Sequence, residues 1–343
     1  MKAVVYTRHG GLDVLQLSEA LDPQIGPGEI LVRVRACALN HLDLWVRKGI
    51  PGVEIPMPHI PGSDISGEIA KVSDGIAHLR VGQRVLLAPG LSCGNCPQCA
   101  AGNDNLCRHY TLFGCKVDGG YAEFVKSPAV NAIPIPEHMT FEQAAAFPLV
   151  FLTAWHMLIT RAGLKPGEDV LVLGAGSGVG SAAIQIAKVV GARVIATAGS
   201  EEKLAKAREL GADDTILHGA SEWSRDVRQL TNRRGVDVVF EHVGEETWDE
   251  SLKSLAPAGR LVTCGATTGF DGKIDIRYLF SRNLSILGSY MGSRAELFDA
   301  VKLASRHLLK PVIDKVFPLA QAVEAQRRLE NRKQFGKIVL RVD

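Results

Sequence analysis

The rhythm of apolar positions along this chain changes near residue 169, and the two rhythms predict two kinds of structure. In residues 28–40 (GEILVRVRACALN), apolar Ile30, Val32, Val34 and Ala36 alternate with Leu31, Arg33, Arg35 and Cys37. That period of two predicts a strand with one charged face. Pro23, Pro27, Pro51, Pro56, Pro58 and Pro61 punctuate the surrounding segments, so this half reads as turn-rich β structure, a small barrel. From Asp169 onward, six short apolar runs follow: 169–174, 192–198, 213–217, 236–243, 259–265 and 284–290. Between the first five lie helix-period stretches such as 181–191 and 201–211, with Gly191 and Gly211 as helix stops. Strand and helix in alternation predict parallel βαβ units and a six-stranded doubly wound sheet. The tail reads helix (295–308), strand (312–317), helix (319–330), strand (336–342), and is expected to return to the N-terminal domain.

A chain of 343 residues is too long for one ordinary core and predicts two domains. Its net charge of +2, without a Lys/Arg block, argues against a nucleic-acid partner, and no apolar run approaches the length of a membrane span. The 35 glycines fit many tight strand-to-helix turns. The start MKAVVYTRHG reads as a strand rather than a signal segment, and predicts a cytoplasmic protein.

Four of the seven cysteines, Cys93, Cys96, Cys99 and Cys107, follow C-x2-C-x2-C-x7-C spacing. Four thiolates suit a closed tetrahedral site, the usual form of a structural zinc. Disulfides fit a reducing compartment poorly, and the spacing differs from the ferredoxin run that holds an iron–sulfur cluster. One structural zinc per chain is therefore expected, with Cys37, Cys115 and Cys264 as plain buried thiols.

The strand 169–174 runs directly into GAGSGVG, placing Gly174, Gly176, Ser177, Gly178, Val179 and Gly180 on a strand-to-helix turn. Glycine there lets backbone approach a pyrophosphate, and the helix N-terminus stabilises its charge, so the turn predicts dinucleotide binding. At the end of the second strand, where NAD enzymes place an acid for the ribose 2′-hydroxyl, this chain has Ala198, Gly199 and Ser200. The missing acid favours NADP(H) over NAD(H), with Ser200 and Lys203 as donors to a 2′-phosphate. The alternative is that Ser200 caps the next helix, with Glu201 and Glu202 in its first turn.

The turn-rich β half, the four-Cys lobe and the glycine turn together resemble the medium-chain dehydrogenase/reductase superfamily, over nearly the whole chain from MKAVVYTRHGG to FGKIVLRV. The resemblance implies an α/β protein: a GroES-like β-barrel domain (1–127 and 293–343, zinc lobe at 90–110) plus a six-stranded Rossmann domain (128–292), with a small-molecule substrate in the cleft between them. Zinc alcohol dehydrogenases of the superfamily carry three catalytic ligands. This chain has Asn40 in place of the first, Ser63 followed by Asp64 in place of His-Glu, and Leu149 at the position aligned with the third; Leu42 replaces the hydroxyl that relays the alcohol proton. These departures resemble the zinc-independent quinone oxidoreductase and enoyl reductase branch, in which hydride passes from NADPH to a quinone or to the alkene of an α,β-unsaturated carbonyl. The charge that develops spreads into an enolate or quinol and can be met by hydrogen bonds.

The resemblance then implies site roles. Asn40 contacts substrate or the carboxamide, and His41 polarises or supplies a proton, although both, and Asp43, could instead serve the start of the following helix. Thr153 lies beside the nicotinamide and His218 near the adenosine ribose. His242, Val243, Gly244, Gly265, Ala266, Thr267, Ser289, Tyr290 and Met291 line strand ends, and Lys337 reaches the cofactor from the tail. A homodimer or homotetramer is implied, with 284–290 as an edge strand. Two other readings stay open: an alcohol dehydrogenase with an atypical metal site built from Asp64, His59 or His41, and a cofactor-binding sensor without turnover.

Overall fold

The computed structural model describes residues 1–218 and 222–343, and the chain forms two compact units, Met1–Leu149 with Ser293–Asp343, and Val150–Gly292. In the first unit a seven-stranded sheet runs in the order Ile313–Pro318, Lys337–Arg341, Glu29–Ala38, Asp64–Val72, Arg84–Leu87, Ala132–Pro134, with Phe124–Pro128 also paired to Glu29–Ala38. The long strand Glu29–Ala38 is its hub. Ile30, Val32 and Val34 point into one core, as their alternation predicts. The alternation then changes face: the pairing with Asp64–Val72 slips between Val34 and Ala36, so Cys37 joins that same core while Ala36 and Ala38 pack on the opposite side with Ala145, Ala146 and Val339. One extra residue in a ladder exchanges the faces of everything beyond it. Gly67 sits opposite Val34 at this irregularity, and a Cβ there would lie 2.1 Å from the Arg33 carbonyl oxygen, so no other residue fits.

The boundary expected at 127/128 lies instead at 149/150. Residues 128–149 stay with the first unit because Ala132–Pro134 pairs with Arg84–Leu87 and the helix Phe141–Ala145 covers the alanine face of the hub strand. The tail returns to the same sheet. Its last strand pairs antiparallel with the end of Glu29–Ala38, and Leu39 N–H donates to the Ile338 carbonyl at 2.9 Å, which brings Lys337 beside Asn40 across nearly the full length of the chain.

The second unit is a six-stranded, wholly parallel sheet in the order Asp214–Leu217, Arg193–Ala198, Asp169–Val172, Val236–Glu241, Leu255–Thr263, Ser285–Gly288. Chain order reverses between Asp169–Val172 and Val236–Glu241, the switch point at which doubly wound sheets bind ligands. The helix Gly178–Val190 stops at Gly191 in the left-handed region (φ 90°), and Gly211 (φ 105°) follows the helix Glu201–Glu209, as their sequence positions predict. Ser285–Gly288 forms one edge of the sheet. Among the described residues, no helix is long and apolar enough to cross a membrane.

Candidate active site, cofactor cradle and metal lobe

The four cysteines converge although they belong to a loop, a one-turn helix and a second loop. Their sulfur atoms lie within 4.8 Å of one another, with Cys96–Cys99 and Cys107–Cys93 at 3.5 Å and Cys93–Cys99 at 3.9 Å. Zinc–sulfur bonds of about 2.3 Å in a tetrahedron require sulfur pairs about 3.8 Å apart, so the donor set and its spacing fit a closed zinc site. Backbone N–H groups of Asn95 and Cys96 point at the Cys93 sulfur and hold its thiol below the usual range, while the neighbouring sulfurs hold Cys96 above it, so the four thiols share their protons as one cluster. Asp104, inside the lobe and buried, accepts from Arg294 N–H at 3.0 Å and ties the lobe to the helix that begins the tail. Among the described residues, no second group of three or more Cys, His, Asp and Glu is close enough to hold a metal. His59 in particular is packed edge-on to Tyr6, with Nδ1 3.8 Å from Asp118.

In the second unit, the glycine turn has the geometry a cradle needs. Gly174 takes φ 57°, and a Cβ on it would press on the His242 ring at 3.1 Å; a Cβ on Gly180 would lie 2.4 Å from the Gly174 oxygen. Ser177 caps the helix, its Oγ accepting from Gly180 N–H at 2.9 Å and lying 3.3 Å from His242 Nε2. His242 Nε2 also sits 2.8 Å from the Leu173 carbonyl, and burial lowers its pKa, so the neutral Nε2–H ring donates to that oxygen. Ala175 N–H donates to the Thr197 carbonyl at 2.8 Å, Gly174 N–H lies 3.3 Å from Thr197 Oγ1, and Thr197 Oγ1 also touches His218 Nδ1 at 3.3 Å. Gly176, Gly178 and Val179 complete the turn and open the helix. Next door, Ser200 Oγ accepts from Lys203 N–H at 3.4 Å as a helix cap, Glu201 and Glu202 occupy the first turn, and Lys206 pairs with Glu202 at 2.7 Å.

The strand-end residues gather through a group the sequence pattern hides. Glu241, fully buried, accepts from Val243 N–H (3.0 Å), Gly244 N–H (3.1 Å) and Thr247 Oγ1 (2.6 Å), and reaches Thr263 Oγ1 at 3.4 Å. Thr267 Oγ1 donates to the Val243 carbonyl at 3.1 Å, and Gly265 lies against the His242 backbone. The segments 242–244 and 265–267 are thus locked to each other. Ser289 N–H donates to the Thr263 carbonyl at 2.9 Å, Tyr290 is exposed, and Met291, at φ 55°, places its sulfur 3.8 Å from Thr153 Oγ1. Glu241 closes the run VVFE after Asp237, and a charged residue directly after three apolar ones is the signal the sequence offers for it.

In the first unit, Asn40 precedes the helix His41–Lys48, and Asp43 Oδ2 accepts its backbone N–H at 2.8 Å. Its side-chain amide also reaches two distant residues: Nδ2 donates to Asp64 Oδ2 at 3.0 Å and Oδ1 accepts from Lys337 Nζ at 2.5 Å. Lys337 Nζ donates also to Asp64 Oδ2 at 2.9 Å, and Asp64 Oδ1 accepts from Leu149 N–H at 2.8 Å. The ion pair is almost wholly buried, with side-chain exposures of 4% and 0%. Lys337, expected beside the cofactor, therefore has its ammonium between Asp64 and Asn40. Ser63 Oγ donates to the Phe113 carbonyl at 2.6 Å. His41 is half-buried at the first helical position, its ring 6.3 Å from that of Trp45. Asp43 is fully buried and pushed up to about 6 by desolvation, against the opposing pull of the Asn40 N–H.

Comparison with known proteins finds two family models in the chain. Residues 26–137 match the family model "Alcohol dehydrogenase GroES-like domain", and residues 178–306 match "Zinc-binding dehydrogenase". A crystal structure of an NAD-dependent alcohol dehydrogenase is 47% identical, covers 100% of both chains and superposes with a TM-score of 0.98. The chain belongs to the medium-chain dehydrogenase/reductase superfamily. It is an NAD(P)-dependent oxidoreductase. Within the superfamily it is similar to proteins of different chemistry: the rat (Rattus norvegicus) quinone oxidoreductase is 30% identical over 99% of this chain and 97% of its own. The acryloyl-coenzyme A reductase of Metallosphaera sedula is likewise 30% identical, over 99% of each.

Proposed function

We propose that this dehydrogenase/reductase transfers hydride from NADPH to a quinone or to the β-carbon of an α,β-unsaturated carbonyl, with no catalytic zinc. The observation that carries the reading is the state of Asp64. It is the one carboxylate among the positions aligned with catalytic zinc ligands, and its oxygens are engaged by Lys337, Asn40 and the Leu149 N–H. Asn40, Ser63 and Leu149 offer no thiolate or imidazole beside it. Without a Lewis acid, oxidation of an alcohol loses the group that stabilises its alkoxide, commonly several kcal/mol. Reduction of a conjugated acceptor does not need it, since the charge delocalises and hydrogen bonds suffice. The bound nicotinamide supplies the hydride; the chain supplies Ser177, Gly180 and the helix N-terminus for the pyrophosphate, the Glu241-held strand ends for orientation, and His41 as donor of the hydrogen bond or proton. Asn40 acts through Asp64 and Lys337 as a positioning residue.

NADP(H) is favoured because Ala198, Gly199 and Ser200 place no acid at the second strand end, and the four-Cys lobe holds one structural zinc. Four zinc-binding thiolates suit the reducing cytoplasm. The exposed edge strand Ser285–Gly288, with Ile276 and Phe280 exposed nearby, supports pairing with a second copy in a homodimer or homotetramer.

The test is a panel of quinones, enones, enoyl thioesters and alcohols, each assayed with both cofactors, alongside zinc counting. The expected result is NADPH consumption with quinones or activated alkenes at one zinc per chain. Two zincs per chain, with alcohol oxidation lost when the labile one is removed, would establish the alcohol dehydrogenase reading instead. Binding of NADPH with no turnover across the panel would establish a sensor.

A further inference from the structure

A second polar cluster lies in the first unit, on the other side of Asp43 from Asn40, and no step of the hydride chemistry uses it. The helices His41–Lys48 and Ala322–Glu330 are in contact and face each other with polar residues one turn apart on each: Asp43 and Arg47 on one, Gln326 and Glu330 on the other. Arg47 Nη2 donates to Glu330 Oε1 at 2.5 Å and closes one end of the seam. At the other end Tyr121 Oη donates to Asp43 Oδ2 at 3.2 Å and is hydrogen-bonded by the Gln326 side-chain amide. Tyr6 is close enough for the charges of both Asp43 and Arg47 to act on its hydroxyl.

Among the described residues, five polar atoms in and beside this frame have no hydrogen-bond partner: Asp43 Oδ1, Arg47 Nε and Nη1, Gln326 Oε1 and, next to them, Tyr6 Oη. Their residues are at most 1% exposed. Buried polar groups are almost always satisfied, and leaving five of them bare would cost as much as the whole stability of an ordinary domain. The group that satisfies them must accept from Arg47 and donate to Asp43. An anion would meet the Asp43 carboxylate, and a cation the Arg47 guanidinium. Water does both, with two donors and two acceptors.

We propose that the seam between these helices is a built hydration site, holding ordered water that bridges Asp43 Oδ1, Arg47, Gln326 and Tyr6. Such water holds the Asp43 carboxylate from behind while its other oxygen fixes the Asn40 N–H, and so braces the start of the His41–Lys48 helix. The proposal stands independently of which acceptor receives the hydride.

Water-oxygen magnetic relaxation dispersion on the full chain tests it by counting long-lived internal waters. Gln326→Leu fills the space with an apolar side chain, and Tyr6→Phe removes one hydroxyl with little change of shape; each should lower the count by at least one. If Gln326→Leu does not fold, Tyr6→Phe alone decides. An unchanged count in folded Tyr6→Phe would overturn the proposal. So would a crystal structure in which Asp43, Arg47 and Gln326 bond directly to one another, or one from crystals soaked in bromide with a bromide ion at Arg47.

Discussion

Lys337→Met is the substitution that tests the architecture of the candidate site most directly. Methionine keeps most of the lysine stem and removes the ammonium. Asp64, with no exposure, then retains the Asn40 Nδ2 and Leu149 N–H bonds but loses its cation at 2.9 Å, and the Asn40 carbonyl oxygen loses its donor. Breaking a buried ion pair from one side commonly costs about 3–5 kcal/mol, because the remaining charge has no counterion and no water. Equilibrium urea unfolding, followed by circular dichroism and tryptophan fluorescence, should show a loss of about that size. The double variant Lys337→Met/Asp64→Asn removes the stranded charge and should recover much of the loss, a coupling that a double-mutant cycle reads directly. The residual hydride-transfer rate should fall in both, since Asn40 loses its orientation. A Lys337→Met protein within 1 kcal/mol of the parent, or a double variant no more stable than the single one, would refute the reasoning that the ammonium neutralises Asp64.

Three further outcomes follow from the same geometry. Asp43 is raised from the ordinary 3.8 to about 6 in the folded chain, so the folded state binds its proton more tightly than the unfolded one. Stability therefore falls as pH rises from about 4 to about 6, by roughly 3 kcal/mol, and the difference between the parent and Asp43→Asn in pH-dependent unfolding should change by about that amount over this window. Cys96→Ser should drop the zinc content from one per chain to none and lower stability by about 3 kcal/mol or more, with hydride transfer retained at temperatures where the chain stays folded; selective loss of turnover at full stability would move the lobe into the catalytic machinery. Gly199→Asp adds the missing acid at the second strand end, where a Cβ meets nothing within 4 Å. It should shift the ratio of kcat/KM for NADH over NADPH upward by about 10- to 100-fold, the worth of a hydrogen bond to a charged group, and an unmoved ratio would separate this strand end from cofactor choice.

What could be read from the residue order alone was whatever depends on neighbours. The glycine turn, the cysteine lobe and the alternation of Ile30, Val32 and Val34 are local patterns, and each produces its structure within a few residues. The reversal of faces after Val34 is different. It arises from a slipped register against a strand more than 25 residues away, and Ala36, Cys37 and Ala38 carry no sign of it because all three are small enough for either side. The boundary at 149/150 escaped for a similar reason, since Ala132–Pro134 is a three-residue strand whose place is set by its partner Arg84–Leu87.

The candidate site was least legible where it is most informative. Asn40 reads as a substrate ligand when its neighbours are only His41 and Asp43, because an amide can donate and accept toward anything that approaches it. Its partners are Asp64, 24 positions on, and Lys337, 297 positions on. The return of the tail to the end of the Glu29–Ala38 strand brings that lysine in, and a topology of this kind leaves no periodic trace. Once the ammonium is in place, the replacement of zinc ligands by Asn40, Ser63 and Leu149 no longer looks like the loss of a site. In this chain the region holds an internal cation, the Lys337 ammonium, with Asp64 as its counterion. A permanent lysine cannot open a coordination position for an alkoxide as a metal can, and its charge is already neutralised by Asp64. The proposed chemistry, reduction of acceptors that delocalise the developing charge by conjugation, asks for no such position, so the acceptor panel and the Lys337→Met variant test the proposal from its two ends.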